Sequence, residues 1–109
     1  MKLMTKAIEK VIPNIYEQDG LYGEAIVYVK FFTPDSNWTW LATEFDGKDT
    51  FFGLVVGMET ELGYFSLKEL QSVRGPLGLP IERDRHFGTP KLKNVLGCPE
   101  WLKEREVCT

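Results

Sequence analysis

Apolar positions alternate with polar ones over two stretches of the chain and run nearly unbroken over a third. In EAIVYVKFF, residues 24–32, Ala25, Val27, Val29 and Phe31 fall on one side of an extended chain, and Ile26, Tyr28 and Phe32 join Lys30 on the other. The segment is rich in β-branched and aromatic residues, so it is expected as a strand inside the sheet, covered on both faces. NWTWLATEF, 37–45, predicts a second strand. Trp38, Trp40 and Ala42 would face one way, and Thr39, Leu41, Thr43 and Phe45 the other. TFFGLVV, 50–56, is the third, and ELGYFS, 61–66, a shorter fourth. TPDSN and DGKD, with its Asp-Gly step, are turns by composition. Strands on connections this short pair antiparallel, because parallel pairing needs a long crossover.

Helical periodicity is confined to short pieces. Thr5 is placed to cap TKAIEKVI, which stops at Pro13, with Leu3, Ala7, Ile8 and Val11 as its apolar stripe. Ser66 and Glu69 have capping-box spacing at the head of SLKELQSV, whose inward positions are Leu67, Leu70 and Val73. Thr89-Pro90 predicts a further helix start, running through Val95 or Leu96, with Gly97 as its stop. Pro99 opens a last turn, PEWLKERE, anchored by Trp101 and Leu102. The fold class is α+β: an antiparallel meander of about four strands with short helices on one face or at one end. The 109 residues suit a single domain, 1–109, with 97–109 as a loosely attached tail. EAIVYVKFF and TFFGLVV are sticky as open edges, so one edge is expected to be covered or paired.

Composition narrows the function classes. A hydrophobic fraction of 43% with three tryptophans and seven phenylalanines excludes a disordered chain. The net charge of −3 lacks the basic excess of a duplex-DNA binder. The acidic excess lies in residues 1–74, and residues 75–109 are slightly basic. MKLMTKAIEK has charges where a secretory signal needs an apolar run, and no 18-residue apolar span occurs, so a cytoplasmic protein off the membrane is expected. Cys98 and Cys108 are then expected as reduced thiols. With one histidine they match no zinc spacing, so neither metal nor cofactor is expected.

The chemistry-bearing stretch is GLPIERDRHFGTP, 78–90. On an extended chain Glu82, Asp84 and His86 share a face, a pattern that suits a divalent ion for phosphodiester cleavage. Arg83 and Arg85 interleave with them, which suits surface ion pairs equally well. Arg74, Arg83 and Arg85 are candidates to converge on an anion, or one of them pairs with Glu69 or Glu82 and pins the loop. Leu77, Leu79, Pro80 and Ile81 are expected to dock the loop on the sheet. A connection of this length in a compact domain is usually functional. Trp38 and Trp40 are core if buried and an aromatic platform if exposed.

VYVKFFTPDSNWTW, FFGLVVGMETELGYFSLKEL and VRGPLGLPIERDRHF together resemble a bacterial family, the domain of unknown function 2958. The resemblance covers most of residues 27–87. It implies a small accessory protein of a plasmid, phage or other mobile element, and no activity. The expectation is therefore a non-enzymatic protein that recognises a protein partner through 74–90. Its binding residues would be Arg74, Glu82, Arg83, Asp84, Arg85 and His86, with Trp38 and Trp40 behind them. The alternatives are a nucleic-acid-binding accessory and a metal-dependent nuclease or phosphate-ester hydrolase using Glu82, Asp84 and His86. Nothing in the sequence fixes an oligomeric state.

Overall fold

A computed structural model describes residues 2–107. Five strands form one open antiparallel sheet: β1 Val29–Phe32, β2 Thr39–Phe45, β3 Thr50–Val56, β4 Thr60–Ser66 and β5 Glu82–Arg83. Their order is β4-β3-β2-β1-β5, so the first four are a meander and β5 returns to the far side of β1. The α+β class and the antiparallel sheet match the sequence expectation. The two aggregation-prone segments do not form edges: β1 and β3 are interior, and β4 and β5 are the edges.

The turns form where the sequence places them. Asp46 Oδ1 accepts the N–H groups of Lys48, Asp49 and Thr50 at 2.8–3.0 Å, and Gly47 takes φ +83°. Thr5 caps α1, Lys6–Val11, accepting the Ile8 N–H. Its expected stripe is only partly inward: Ile8 is half-buried, Ala7 and Val11 are exposed, and Ile12 turns inward instead. Ser66 caps α2, Leu67–Ser72, accepting from Glu69 N–H at 3.3 Å. Asp49 completes this cap from the β2–β3 turn, accepting the Ser66 hydroxyl at 2.6 Å and the Lys68 N–H at 2.8 Å.

Alternation is broken in β2, and the break decides which residues are core. The β2–β3 register shifts between Ala42 and Glu44, so Thr43 is an extra, bulged residue. After the bulge the parity reverses. Phe45 therefore joins Trp40 and Ala42 rather than Leu41, stacking on Phe51 at 4.4 Å, contrary to simple period-two reading. The β1 ladder likewise lapses at residues 27 and 28, and Val27 belongs to the opposite face from Val29 and Phe31.

Both faces of the sheet are covered. Val29, Phe31, Trp40, Ala42, Phe45 and Phe51 pack under Leu3, Met4, Ile12, Leu70 and Ile81. Val27, Leu41 and Leu54 pack under Leu92, Val95, Cys98 and Leu102. The second cover is built from one 3-10 turn, irregular chain and a short last helix rather than from the helix expected after Thr89-Pro90. Val27 N–H donates to Pro90 O at 2.9 Å and Leu92 N–H to Ala25 O at 2.8 Å. Lys91 stays extended between those bonds, leaving one 3-10 turn, Leu92–Asn94. The last helix, α3 Glu100–Lys103, is anchored by fully buried Leu102, whereas Trp101 is 49% exposed.

Two polar side chains hold the loop 14–21 where the ladder is interrupted. Glu44, 3% exposed, accepts the N–H groups of Tyr16 and Gln18 at 2.9 Å each. The Gln18 amide bonds both the N–H and C=O of Ile26 and the C=O of Thr43, within 2.8 Å. It fills the gap left by the bulge, satisfying groups that would otherwise be buried without partners.

Candidate functional site

Besides the Val27–Pro90 bond at its end, the segment 75–90 is fixed to the domain at three points. Ile81 inserts into the core at 4% exposure. Glu82 and Arg83 pair with Phe32 and Phe31 of β1 as β5, and Asp84 N–H extends the pairing to Lys30 O at 3.0 Å. At the other end Asp35, from the β1–β2 turn, accepts the Leu77 N–H at 2.8 Å. Gly75 permits this approach, because a Cβ there would overlap the Asp35 carboxylate. Of the four apolar residues expected to dock the loop, Ile81 does so, whereas Leu77, Leu79 and Pro80 are exposed. The chain folds back on itself, with Gly75 N–H to Leu79 O at 2.9 Å and an Arg74–Pro80 bridge. That turn projects Leu77 outward at 80% exposure and Leu79 at 43%.

Past β5 the chain bends. Asp84 Oδ1 accepts the His86 N–H at 3.0 Å, an Asx turn, and Gly88 takes φ +76°. Arg85 and His86 are exposed, and Glu82, Arg83 and Asp84 are half-buried. These five residues line a shallow cavity of about 370 Å³ with Lys30 and Phe32. The Lys30 ammonium stands 5.9 Å from the centre of the Phe32 ring and 5.8 Å from that of Phe87. This is cation–π range for a group that still faces solvent. Lys30, Phe32 and Phe87 are members of this surface that motif reading does not single out. They belong to it because β5 lies beside β1.

The bend also separates the three groups considered for a metal. Among the described residues no group of three His, Cys, Asp or Glu side chains is placed to hold a metal ion. Glu82, Asp84 and His86 therefore share a surface without sharing a coordination point, because the Asx turn ends the alternation that would align them.

Arg74 stands apart from this surface. It lines a separate groove of about 530 Å³ with Trp38, Trp40, Thr33, Ser36, Val73 and Pro76. Its Nη1 donates to Gln71 O at 3.0 Å and Val73 O at 2.8 Å, so it closes the end of α2 rather than pairing with Glu69 or Glu82. Trp38 and Trp40 stack at 5.9 Å between centroids and have different fates. Trp40 is core at 8% exposure, whereas Trp38 is 38% exposed and lies over Gly57, where a Cβ would strike its ring. The structure thus presents two separate features: an aromatic groove with one arginine, and a charged bend.

Other perturbed groups serve the scaffold. Lys91 and Lys93 bond the Glu24 carboxylate and pull its pKa down to about 2. Backbone N–H donors lower Asp46, and the Ser66 hydroxyl with the Lys68 N–H lowers Asp49. Burial raises the Cys98 thiol, which suits an inert packing role. Cys108 lies outside the described residues. Among the described residues no helix is long and apolar enough to cross a membrane.

The family model described as a protein of unknown function (DUF2958) matches residues 3–98. No curated protein and no solved structure matches the chain.

Proposed function

The chain belongs to the DUF2958 family of proteins of unknown function, and on that premise we propose that it is a non-enzymatic accessory protein of a plasmid, phage or other mobile element. It recognises a protein partner through the 74–90 region. The observation that carries this reading is the anchoring of Ile81 in the core, immediately before a run of exposed and half-exposed charges. A segment held in this way presents Glu82, Arg83, Asp84, Arg85 and His86 already ordered. Binding then avoids much of the entropy cost of fixing a loop. The separate groove at the head of the segment carries a half-exposed tryptophan and Arg74, residue types that dominate protein hot spots. The test is capture of partners from a native host by the tagged chain and by an Arg83→Glu/Arg85→Glu variant. Loss of the captured partner is expected, and undiminished capture removes this surface from the function.

A second reading is a nucleic-acid-binding accessory. Lys30, Arg83, Arg85 and His86 gather around Phe32 and Phe87, cations beside rings that suit a single strand. It predicts affinity falling steeply with salt. Failure to retain single- or double-stranded nucleic acid in a low-salt gel shift dismisses it.

A further inference from the structure

The two edges of the sheet are built differently. β5 is two residues long and both are charged, the usual protection of an edge. β4 is seven residues long and pairs with β3 without a register shift. It contains no proline, and Glu61 is its only charged residue. No β4 residue is fully buried. A groove of about 650 Å³ runs along it, lined by Trp38, Met58 and Tyr64, with Met58 93% and Tyr64 56% exposed.

The register identifies the free backbone groups. Gly57 N–H donates to Glu59 O at 3.1 Å and Leu67 N–H to Asp49 O at 2.8 Å, at the two ends of the β3–β4 ladder. Hydrogen-bonded pairs alternate along an antiparallel ladder, so Glu61, Gly63 and Phe65 bond inward. The N–H and C=O groups of Thr60, Leu62 and Tyr64 point away from the sheet.

We infer that β4 is a self-pairing edge, joining a second copy of this chain in an antiparallel, two-fold symmetric strand pair centred on Gly63. Only that centre overlaps all of residues 60–66 with themselves. It sets Leu62 opposite Tyr64 of the second copy as hydrogen-bonded pairs. It sets Gly63 opposite Gly63 at the close, non-hydrogen-bonded spacing, at a position where a Cβ would meet nothing within 4 Å of its own chain. Charge agrees with this register. A centre at residue 61 or 60 would bring Glu61 against Glu61 or Glu59, which is destabilising. At Gly63, Glu61 faces Phe65 of the second copy. Glu59 faces Leu67 there, one residue from exposed Lys68, and symmetry repeats the pairing at the other end. This inference is independent of the 74–90 surface.

Sedimentation velocity over a concentration series, with amide exchange, tests it. The expected particle is twice the 12.5 kDa chain mass, with the Leu62 and Tyr64 amides more protected at high concentration than at low. Glu59→Lys and Lys68→Glu each weaken association by about tenfold, and the double variant restores it. Tyr64→Pro removes an outward donor and abolishes the dimer. A chain that stays monomeric at every concentration overturns the inference and leaves the edge to a strand from another protein. A dimer in which those two amides exchange independently of concentration, or which the single charge variants leave unchanged, also overturns it.

Discussion

Asp35 and Leu77, 42 residues apart, are joined by a 2.8 Å hydrogen bond from the Leu77 N–H to the Asp35 carboxylate. The bond ties the β1–β2 turn to the head of the segment that carries the proposed recognition surface. It makes the order of that segment depend on a turn distant in sequence.

Gly75→Ala tests that dependence. Gly75 has no positive φ, so the strain lies in the side-chain overlap with Asp35. The carboxylate swings away and the Leu77 bond is lost. A charge-assisted bond at an exposed site outweighs the smaller entropic gain of replacing glycine, for a net loss of about 1 kcal/mol. Urea unfolding is expected to show that loss, and amide exchange to show faster opening at residue 77. A stabilised variant would mean that Asp35 does not hold the segment.

Glu44→Gln tests the buried carboxylate. An amide has one acceptor oxygen where Glu44 uses two, so the Tyr16 or Gln18 N–H meets an NH₂ group. The expected cost is about 2–3 kcal/mol in chemical denaturation. Near-neutral behaviour would show that water satisfies those donors.

Stability should fall in acid. Glu24, Asp46 and Asp49 have lower pKa values in the folded chain than in the unfolded one. Their contribution is complete above the unfolded carboxylate range, about pH 4–4.5. It is lost as pH drops through the folded values, which for Glu24 is about 2. The melting temperature is expected to hold between pH 8 and 5 and to decline below about 4.5. Glu24→Gln should make the decline shallower. An equally steep decline in that variant would assign the effect elsewhere.

The stacked tryptophans should separate under mutation. Trp40→Ala empties a core position and is expected to cost about 3–5 kcal/mol. Trp38→Ala removes a half-exposed ring and is expected to cost about 1 kcal/mol while weakening partner capture. Equal costs in calorimetry would place both rings in the core.

The surface was only partly legible in the residue pattern. Arg83, Arg85 and His86 stood out by composition, and their cluster is intact. Lys30 and Phe87 did not, because a lysine in a strand and a phenylalanine in a loop have no motif. They meet only when β5 lies beside β1. Arg74 reads as a neighbour of Arg83, yet the 75–79 turn directs it into the groove beside Trp38.

The chain's local chemistry determined what can be decided within a few residues. That includes the caps at Thr5 and Ser66, the Asp46-Gly47 turn, the strand run at 50–56 and hence an antiparallel sheet. These depend on φ preferences and on hydrogen bonds that reach three or four positions. The tertiary structure alone decided the bulge at Thr43, the face of Phe45, the extended conformation of Lys91 and the edge position of β4. The first three depend on whether a distant group, such as Gln18 or Val27, supplies the partner that a buried N–H or C=O requires, and period-two alternation contains no information about distant partners.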